Sequence, residues 1–290
     1  MTTRKLCLGT AQFGLDYGIN NPSGKIKNEQ ILTILRSAHQ HGIDTLDTAP
    51  TYGDSEQIIG SYTHRSRLKF NIISKLSGSK ITSVARSLDQ SLDRLRLTSI
   101  YGYLVHDFDL WLKRPQIWDE LQALKQQQKI KNIGFSVYYP HQVDTLLNRG
   151  LRPDILQVPY SLLDQRFAQI FPLLQHQGIK LYARSVFLQG LIFFNPSLLP
   201  AKLVKAKPAL IKLLSISESS HLSPAAMALN FVLLNPHFDK VIIGLDNIDQ
   251  LQDNLKSIEF QTQVKKIYHQ LLPLGIDDEQ IVIPMNWQSA

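Results

Sequence analysis

Short apolar stretches of strand character alternate with amphipathic stretches of helical period along this chain, with no linker between them. The pattern repeats eight times. Its strands are LCLGT, the apolar approach to IDTLDTAPTYG, FNIISK, IYGYLVH, IKNIGFS, DILQV, IKLYAR and KVIIG. Between the first two, Ile31, Leu35 and Ala38 stripe a helix that Asn28 caps and Gly42 closes. A short helix over about Asp54 to Thr63 and a longer one with Ile81, Val84, Ala85, Leu88, Leu92 and Leu95 on one face follow. Leu121 with Leu124, then Val143 with Leu146 and Leu147, then Phe167 with Ile170, Phe171 and Leu174 mark the next three. Ser223 and Pro224 open another as N-cap and first-turn residue, and Ile248, Leu251 and Leu255 stripe the last.

Strands linked by crossover helices run parallel, and eight such units close on themselves. The expected fold class is therefore α/β, a single (β/α)8 TIM barrel over residues 1–290. Residues 185–222, with Pro196, Pro200 and Pro208, read as a long loop with some helix, and residues 261–290 as a short C-terminal tail. A doubly wound dinucleotide-binding sheet is the rival. It needs G-x-G-x-x-G after its first strand, and GTAQFG does not supply it.

In a parallel barrel the C-terminal ends of all strands face one mouth, where the chemistry sits. Asp47 and Tyr52 follow the second strand, Lys75 ends the third and His106 the fourth. Taken singly, each has a structural explanation: a helix-capping carboxylate, a half-buried phenol, a rim lysine, a hydrogen-bonded imidazole. Taken together, they suit reduction of a carbonyl. Hydride arriving at carbon leaves charge on oxygen, so a proton donor must stand there. Tyrosine, with a pKa near 10, is a poor donor until a nearby ammonium stabilises its phenolate. Tyr52 fits the donor, Lys75 the ammonium, Asp47 the carboxylate that holds it, and a neutral His106 the polarising group.

GIDTLDTAPTYG, NIISK, SLDRLRLTSIYGYLVHD and KIKNIGFSVY resemble the aldo-keto reductase family across essentially the whole chain. The resemblance implies a (β/α)8 barrel with an Asp, Tyr, Lys, His tetrad, here Asp47, Tyr52, Lys75 and His106. It implies a nicotinamide cofactor, NADP(H) or NAD(H), bound extended without a Rossmann domain. By the same resemblance, Gly9 and Thr10 contact the nicotinamide ribose, and Ser136 and Gln157 hydrogen-bond the carboxamide. Val137 stands where the family has an Asn. Ser185 and Gly190 fall in the loop over the pyrophosphate, and Gly244, Gln250 and Asn254 in the adenosine segment. Where an aromatic ring normally stacks on the nicotinamide, this chain has Arg184. Its guanidinium stacks in place of the ring, reaches an anionic substrate group, or pairs with a rim carboxylate. Leu245, Asp246 and Gln250 replace the cations that grip the 2′-phosphate of NADPH, and a carboxylate suits a free ribose hydroxyl instead. NADPH preference is thus expected to weaken or reverse.

Lys and Arg total 31 against 24 Asp and Glu, a formal charge of +7, but no basic run is longer than a pair such as Lys265-Lys266. That excess favours anionic metabolites over nucleic acid, which needs a basic stripe with interleaved aromatics. Cys7 is the one cysteine, so an internal disulfide and a cysteine-rich metal site are excluded and a reducing, cytoplasmic setting is expected. No secretory leader and no bilayer-long apolar run are visible. Partners are expected to be small carbonyl and alcohol compounds, with no metal, nucleic acid or membrane. The loop Phe13 to Lys27, Tyr138 with Tyr139, Phe187 to Leu199, and Trp287 are candidates to line the mouth. Two alternatives stay open: a Schiff-base lyase using Lys75, and a non-catalytic barrel that binds the cofactor as a regulator.

Overall fold

The computed structural model describes residues 2–19, 21, 23–78 and 83–287. Eight parallel strands close in sequence order, each hydrogen-bonded to the next and β8 to β1. They are β1 (Leu6–Gly9), β2 (Thr45–Asp47), β3 (Asn71–Leu76), β4 (Ile100–Val105), β5 (Ile130–Ser136), β6 (Ile155–Pro159), β7 (Lys180–Arg184) and β8 (Phe238–Ile243).

Two apolar layers hold this closure. The larger packs outward-facing strand residues such as Leu6, Leu8, Leu46, Val105, Phe135 and Val158 against the buried faces of the surrounding helices. A small separate cluster of Cys7, Ile73, Leu104, Ile155, Tyr182 and Ile242 fills the barrel itself. Side chains alternate along a strand, so the residue two positions on points inward again, one layer nearer the mouth. Two positions beyond that cluster stand Gly9, Lys75, His106, Gln157, Arg184 and Gly244. Every site position on these strands is thus fixed by the same period that fixes the core.

Three expectations need correction. The segment after β7 is mostly ordered into turns and a 14-residue helix, Lys207–Ser220. Pro208 lies in its first turn, where no backbone donor is lost. Its apolar residues also cover more than one face: Leu210, Leu213 and Ile216 are buried while Ile211 is half exposed, which blurs the amphipathic signal. The tail begins with a further helix, Gln261–Leu271, whose Tyr268 ring stacks on Phe231 with centroids 4.9 Å apart. At the first helix, Lys27 rather than Asn28 is the capping position, and no side chain caps it. Ile81, expected on the helix Val84–Leu95, lies outside the described residues. Among the described residues no helix is long and apolar enough to cross a membrane.

Candidate active site

β2 ends at Asp47, and the chain turns at once through Thr48, Ala49 and Pro50 to Tyr52, whose N–H donates to Ala49 O at 3.0 Å. Buried hydroxyls pin this turn. Thr10 Oγ1 donates to Asp47 O at 2.9 Å, Ser55 Oγ donates to Thr10 O at 2.9 Å, and Thr48 Oγ1 lies 3.1 Å from Ser55 Oγ. The chain after β1 presses against the turn so closely that a Cβ on Gly14 would stand 1.8 Å from Tyr52 O. Tyr52 is therefore set by backbone contact and not by its own side chain alone.

Lys75, on β3 beside β2, enters from below. Its Nζ donates to Asp47 Oδ2 at 2.7 Å, to Thr48 O at 2.9 Å and to Tyr52 OH at 3.5 Å. All three ammonium protons have acceptors. The other Asp47 oxygen accepts from Gln157 Nε2 at 2.5 Å. His106 stands edge-on to Tyr52, ring centroids 6.3 Å apart and planes at 90°. Phenol, ammonium, carboxylate and imidazole thus meet at one point above the barrel core.

Burial governs their protonation. Burial lowers the Lys75 pKa, but Asp47, with Tyr52 behind it, outweighs that, and the ammonium is held above its ordinary range. Burial pushes Tyr52 up to about 12, and Lys75 offsets only part of the rise. This reverses the expected direction: a fully buried phenol loses more by desolvation of its phenolate than one ammonium, already shared with Asp47, restores. Burial also pulls His106 down to about 3, with Lys75 and Arg184 adding to the effect. At neutral pH the site holds a protonated phenol and a neutral imidazole. Cys7, buried in the barrel with its thiol pKa raised by desolvation, is a packing residue.

A cavity of about 470 Å3 runs from this cluster across the mouth. Asp47, Tyr52, Lys75, His106, Gly9, Thr10, Ser136, Gln157, Arg184, Ser185, Gly190, Gly244, Gln250 and Asn254 all line it. Ser136 and Gln157 are register partners on β5 and β6. Thr10 lines the cavity, though its hydroxyl is spent on Asp47 O. Arg184 Nη2 donates to Val137 O at 3.0 Å and Nη1 to Ser185 Oγ at 3.2 Å, while its Cζ lies 4.1 Å from the Tyr138 ring centroid. It therefore stacks on an aromatic ring of the protein itself and has no carboxylate partner among the described residues. At the far end Asp246 accepts from Gln250 Nε2 at 3.1 Å and from Gln12 Nε2 at 3.4 Å.

Of the expected wall residues, Tyr17, Gly18, Asn21, Tyr138, Phe187, Gln189, Gly190 and Phe193 line the cavity. Trp287 does not. Its Nε1 donates to Ile281 O at 3.0 Å, which holds the ring against the C-terminal segment. Tyr139 also lies outside the cavity lining, as the N-cap of the helix Pro140–Asn148. Gln12, Ala225 and Asp253 line the cavity without having been singled out. The sequence carried a signal only for Asp253, one residue before Asn254. Over the cavity Gln189 Nε2 donates to Tyr17 OH at 3.0 Å, and Ile19 N–H to Gln189 O at 3.2 Å, so the β1 and β7 loops clasp each other. Ser185, Leu188 and Gln189 take left-handed backbone there, with φ of 63°, 45° and 51°. That conformation is costly for residues other than glycine and collects at ligand-binding loops.

Comparison with known proteins decides the family. Residues 5–270 match the model of the Aldo/keto reductase family. The chain belongs to the aldo/keto reductases. It is 25% identical over 283 residues to the uncharacterized oxidoreductase YqkF of Bacillus subtilis, covering 88% of this chain and 90% of that one. It is 24% identical over 280 residues to L-galactose dehydrogenase of Arabidopsis thaliana, covering 89% and 84%. The fold is shared with the holo form of the aldo-keto reductase AKR11C1 of Bacillus halodurans, with a TM-score of 0.73, 21% identity and coverage of 96% and 95%. This aldo/keto reductase is an NAD(P)-dependent oxidoreductase that interconverts carbonyl and alcohol groups.

The cavity of this reductase fits a nicotinamide dinucleotide. At the floor, a Cβ on Gly9 would press on the neighbouring strand, 3.2 Å from the Ile242 side chain and 3.3 Å from Ile243 O. Ser136 and Gln157 offer a hydroxyl and an amide beside the tetrad, the donor set a carboxamide needs. The helix Ile248–Ile258, capped by Asn247, ends the groove with Asn254 on its cavity side.

Proposed function

We propose that Tyr52 is the proton donor and acceptor of this oxidoreductase, with Lys75, Asp47 and His106 as its supporting groups. The observation that carries the reading is Lys75 Nζ bridging Asp47 Oδ2 at 2.7 Å and Tyr52 OH at 3.5 Å. When bound, the nicotinamide cofactor supplies the hydride. The substrate oxygen sits between Tyr52 OH and His106, whose neutral ring donates a hydrogen bond and orients the carbonyl. As charge builds on that oxygen, Tyr52 transfers its proton to it, and Lys75 stabilises the phenolate left behind. Asp47 keeps Lys75 charged and aimed. Gln157, Ser136, Gly9 and Thr10 hold the nicotinamide end, and Ser185 with Gly190 the loop above the phosphates.

We further read the adenosine end as selective for NADH. Asp246 and Asp253 face the groove there, with Gln250 and Gln12 turned toward Asp246 and, among the described residues, no cation lining that end. A 2′-phosphate would meet like charge, whereas a 2′-hydroxyl has an acceptor.

Replacing Tyr52 by Phe tests the assignment. Carbonyl reduction is expected to lose at least about a thousandfold in kcat, while NADH still quenches protein fluorescence on binding, since only transition-state proton transfer is removed. Retention of near-normal kcat would show that another group moves the proton.

A further inference from the structure

Charge is distributed unevenly along the cavity. At the tetrad, Asp47 is matched by Lys75 at 2.7 Å. Arg184, on the same wall, has no carboxylate within ion-pair distance among the described residues. At the opposite end the wall carries Asp246 and Asp253. The catalytic end thus has one cation in excess, and the adenosine end is acidic.

Arg184 is also held in place. Val137 O and Ser185 Oγ each accept one of its N–H groups, at 3.0 and 3.2 Å, and the Tyr138 ring lies 4.1 Å from its Cζ. These contacts fix the guanidinium plane at the ends of β5 and β7. They use two of its five N–H donors, and Nε is buried with no partner. A partly desolvated guanidinium with unfilled donors and no counter-ion is unfavourable by itself, and an incoming anionic oxygen group relieves it. Its field reaches the tetrad, since it is among the charges that keep His106 neutral. Tyr17, Tyr138 and Phe193 line the same cavity, so aromatic surface accompanies the charge.

We propose that the substrate is a small carbonyl compound bearing an anionic oxygen group, carboxylate or phosphate, which Arg184 binds while the carbonyl lies at Tyr52 and His106. This rests on the reductase assignment of Tyr52 given above. The cation therefore serves the substrate and not the 2′-phosphate of NADPH, whose place at the adenosine end meets Asp246.

Matched pairs of aldehydes test it with the cofactor saturating: 4-oxobutanoate against 4-oxobutanamide, and glyceraldehyde 3-phosphate against glyceraldehyde. In at least one pair kcat/KM is expected to favour the anionic member about tenfold or more, the size of one charge-assisted hydrogen bond. Whichever pair shows it identifies the anion. In R184Q that ratio is expected to collapse toward unity, mainly through KM of the anionic member, and Arg184→Lys to keep part of it. Four results overturn the proposal. One is neutral members reduced as well as charged ones, and another is a ratio that stays at its wild-type value in R184Q. R184Q can instead weaken NADH binding with the ratio unmoved, which assigns the guanidinium to the cofactor. Lastly, the protein can reduce neutral aldehydes such as benzaldehyde while ignoring both anions, which leaves the reductase assignment standing. If no carbonyl is reduced with NADH or NADPH, both fall together.

Discussion

Gln157 donates its side-chain amide to the same Asp47 carboxylate that holds Lys75, at 2.5 Å on one oxygen against 2.7 Å on the other. Gln157 on β6 and Lys75 on β3 are thereby tied together through a single buried carboxylate. Gln157→Ala leaves one Asp47 oxygen without its donor. The expected cost is about 1–3 kcal/mol of stability, read by urea unfolding, with a fall in kcat as Lys75 loses its alignment. Gln157→Glu is expected to be worse than Ala in both respects, because it sets a second carboxylate against the first.

The Lys75–Asp47 pair is almost fully enclosed, its side chains 1% and 6% exposed. Asp47→Asn strands a buried ammonium, and the expected loss is about 3–5 kcal/mol in equilibrium unfolding. Removing both charges, as in Asp47→Leu with Lys75→Met, is expected to recover much of that stability and none of the activity. Equal instability of the single and double variants would show that the pair is not what the stability depends on.

The two directions of the reaction are expected to differ in pH dependence. If Tyr52 is the proton donor, as proposed, reduction needs its protonated form, which a pKa of about 12 leaves intact across neutral pH. Oxidation of the alcohol needs the deprotonated form. The kcat for reduction should stay level from about pH 6 to 9 while that for oxidation keeps rising, as each follows the fraction of the required protonation state. With His106 held at about 3, neither profile should inflect near the ordinary histidine pKa. A step there would mean that His106 titrates in the working enzyme.

Cofactor choice offers an independent check. Asp246 lines the cavity at the end proposed for the adenosine, with its carboxylate hydrogen-bonded to Gln250 and Gln12. Asp246→Ser removes a like charge from the path of a 2′-phosphate. The ratio of kcat/KM for NADPH over NADH is expected to rise at least about tenfold, the effect of relieving one close charge repulsion. An unchanged ratio would place the discrimination elsewhere.

The barrel was legible because its signal is repetitive. Strand after strand showed the same apolar run, and the period of two that buries Ile73 and Leu104 also delivers Lys75 and His106 to the mouth. The helix Lys207–Ser220 was not legible, since two prolines precede it, a third stands in its first turn, and apolar residues on several faces mask its period. Trp287 was misplaced because an aromatic residue near the end of a chain carries no local sign of which surface it meets. Gln12 and Ala225 reach the cavity from positions whose neighbours show no motif.

What the amino-acid sequence determined by itself is the fold class, the family and the order of chemical groups around the mouth, because these depend on residue type and spacing. Only the tertiary structure decided how those groups behave. Burial outweighed the ammonium at Tyr52, Gln157 turned to Asp47, Arg184 stacked on Tyr138 without a counter-ion, and Tyr17 met Gln189 over the cavity. Desolvation and charge compensation are sums over neighbours in space, and those neighbours come from strands and loops far apart in the chain.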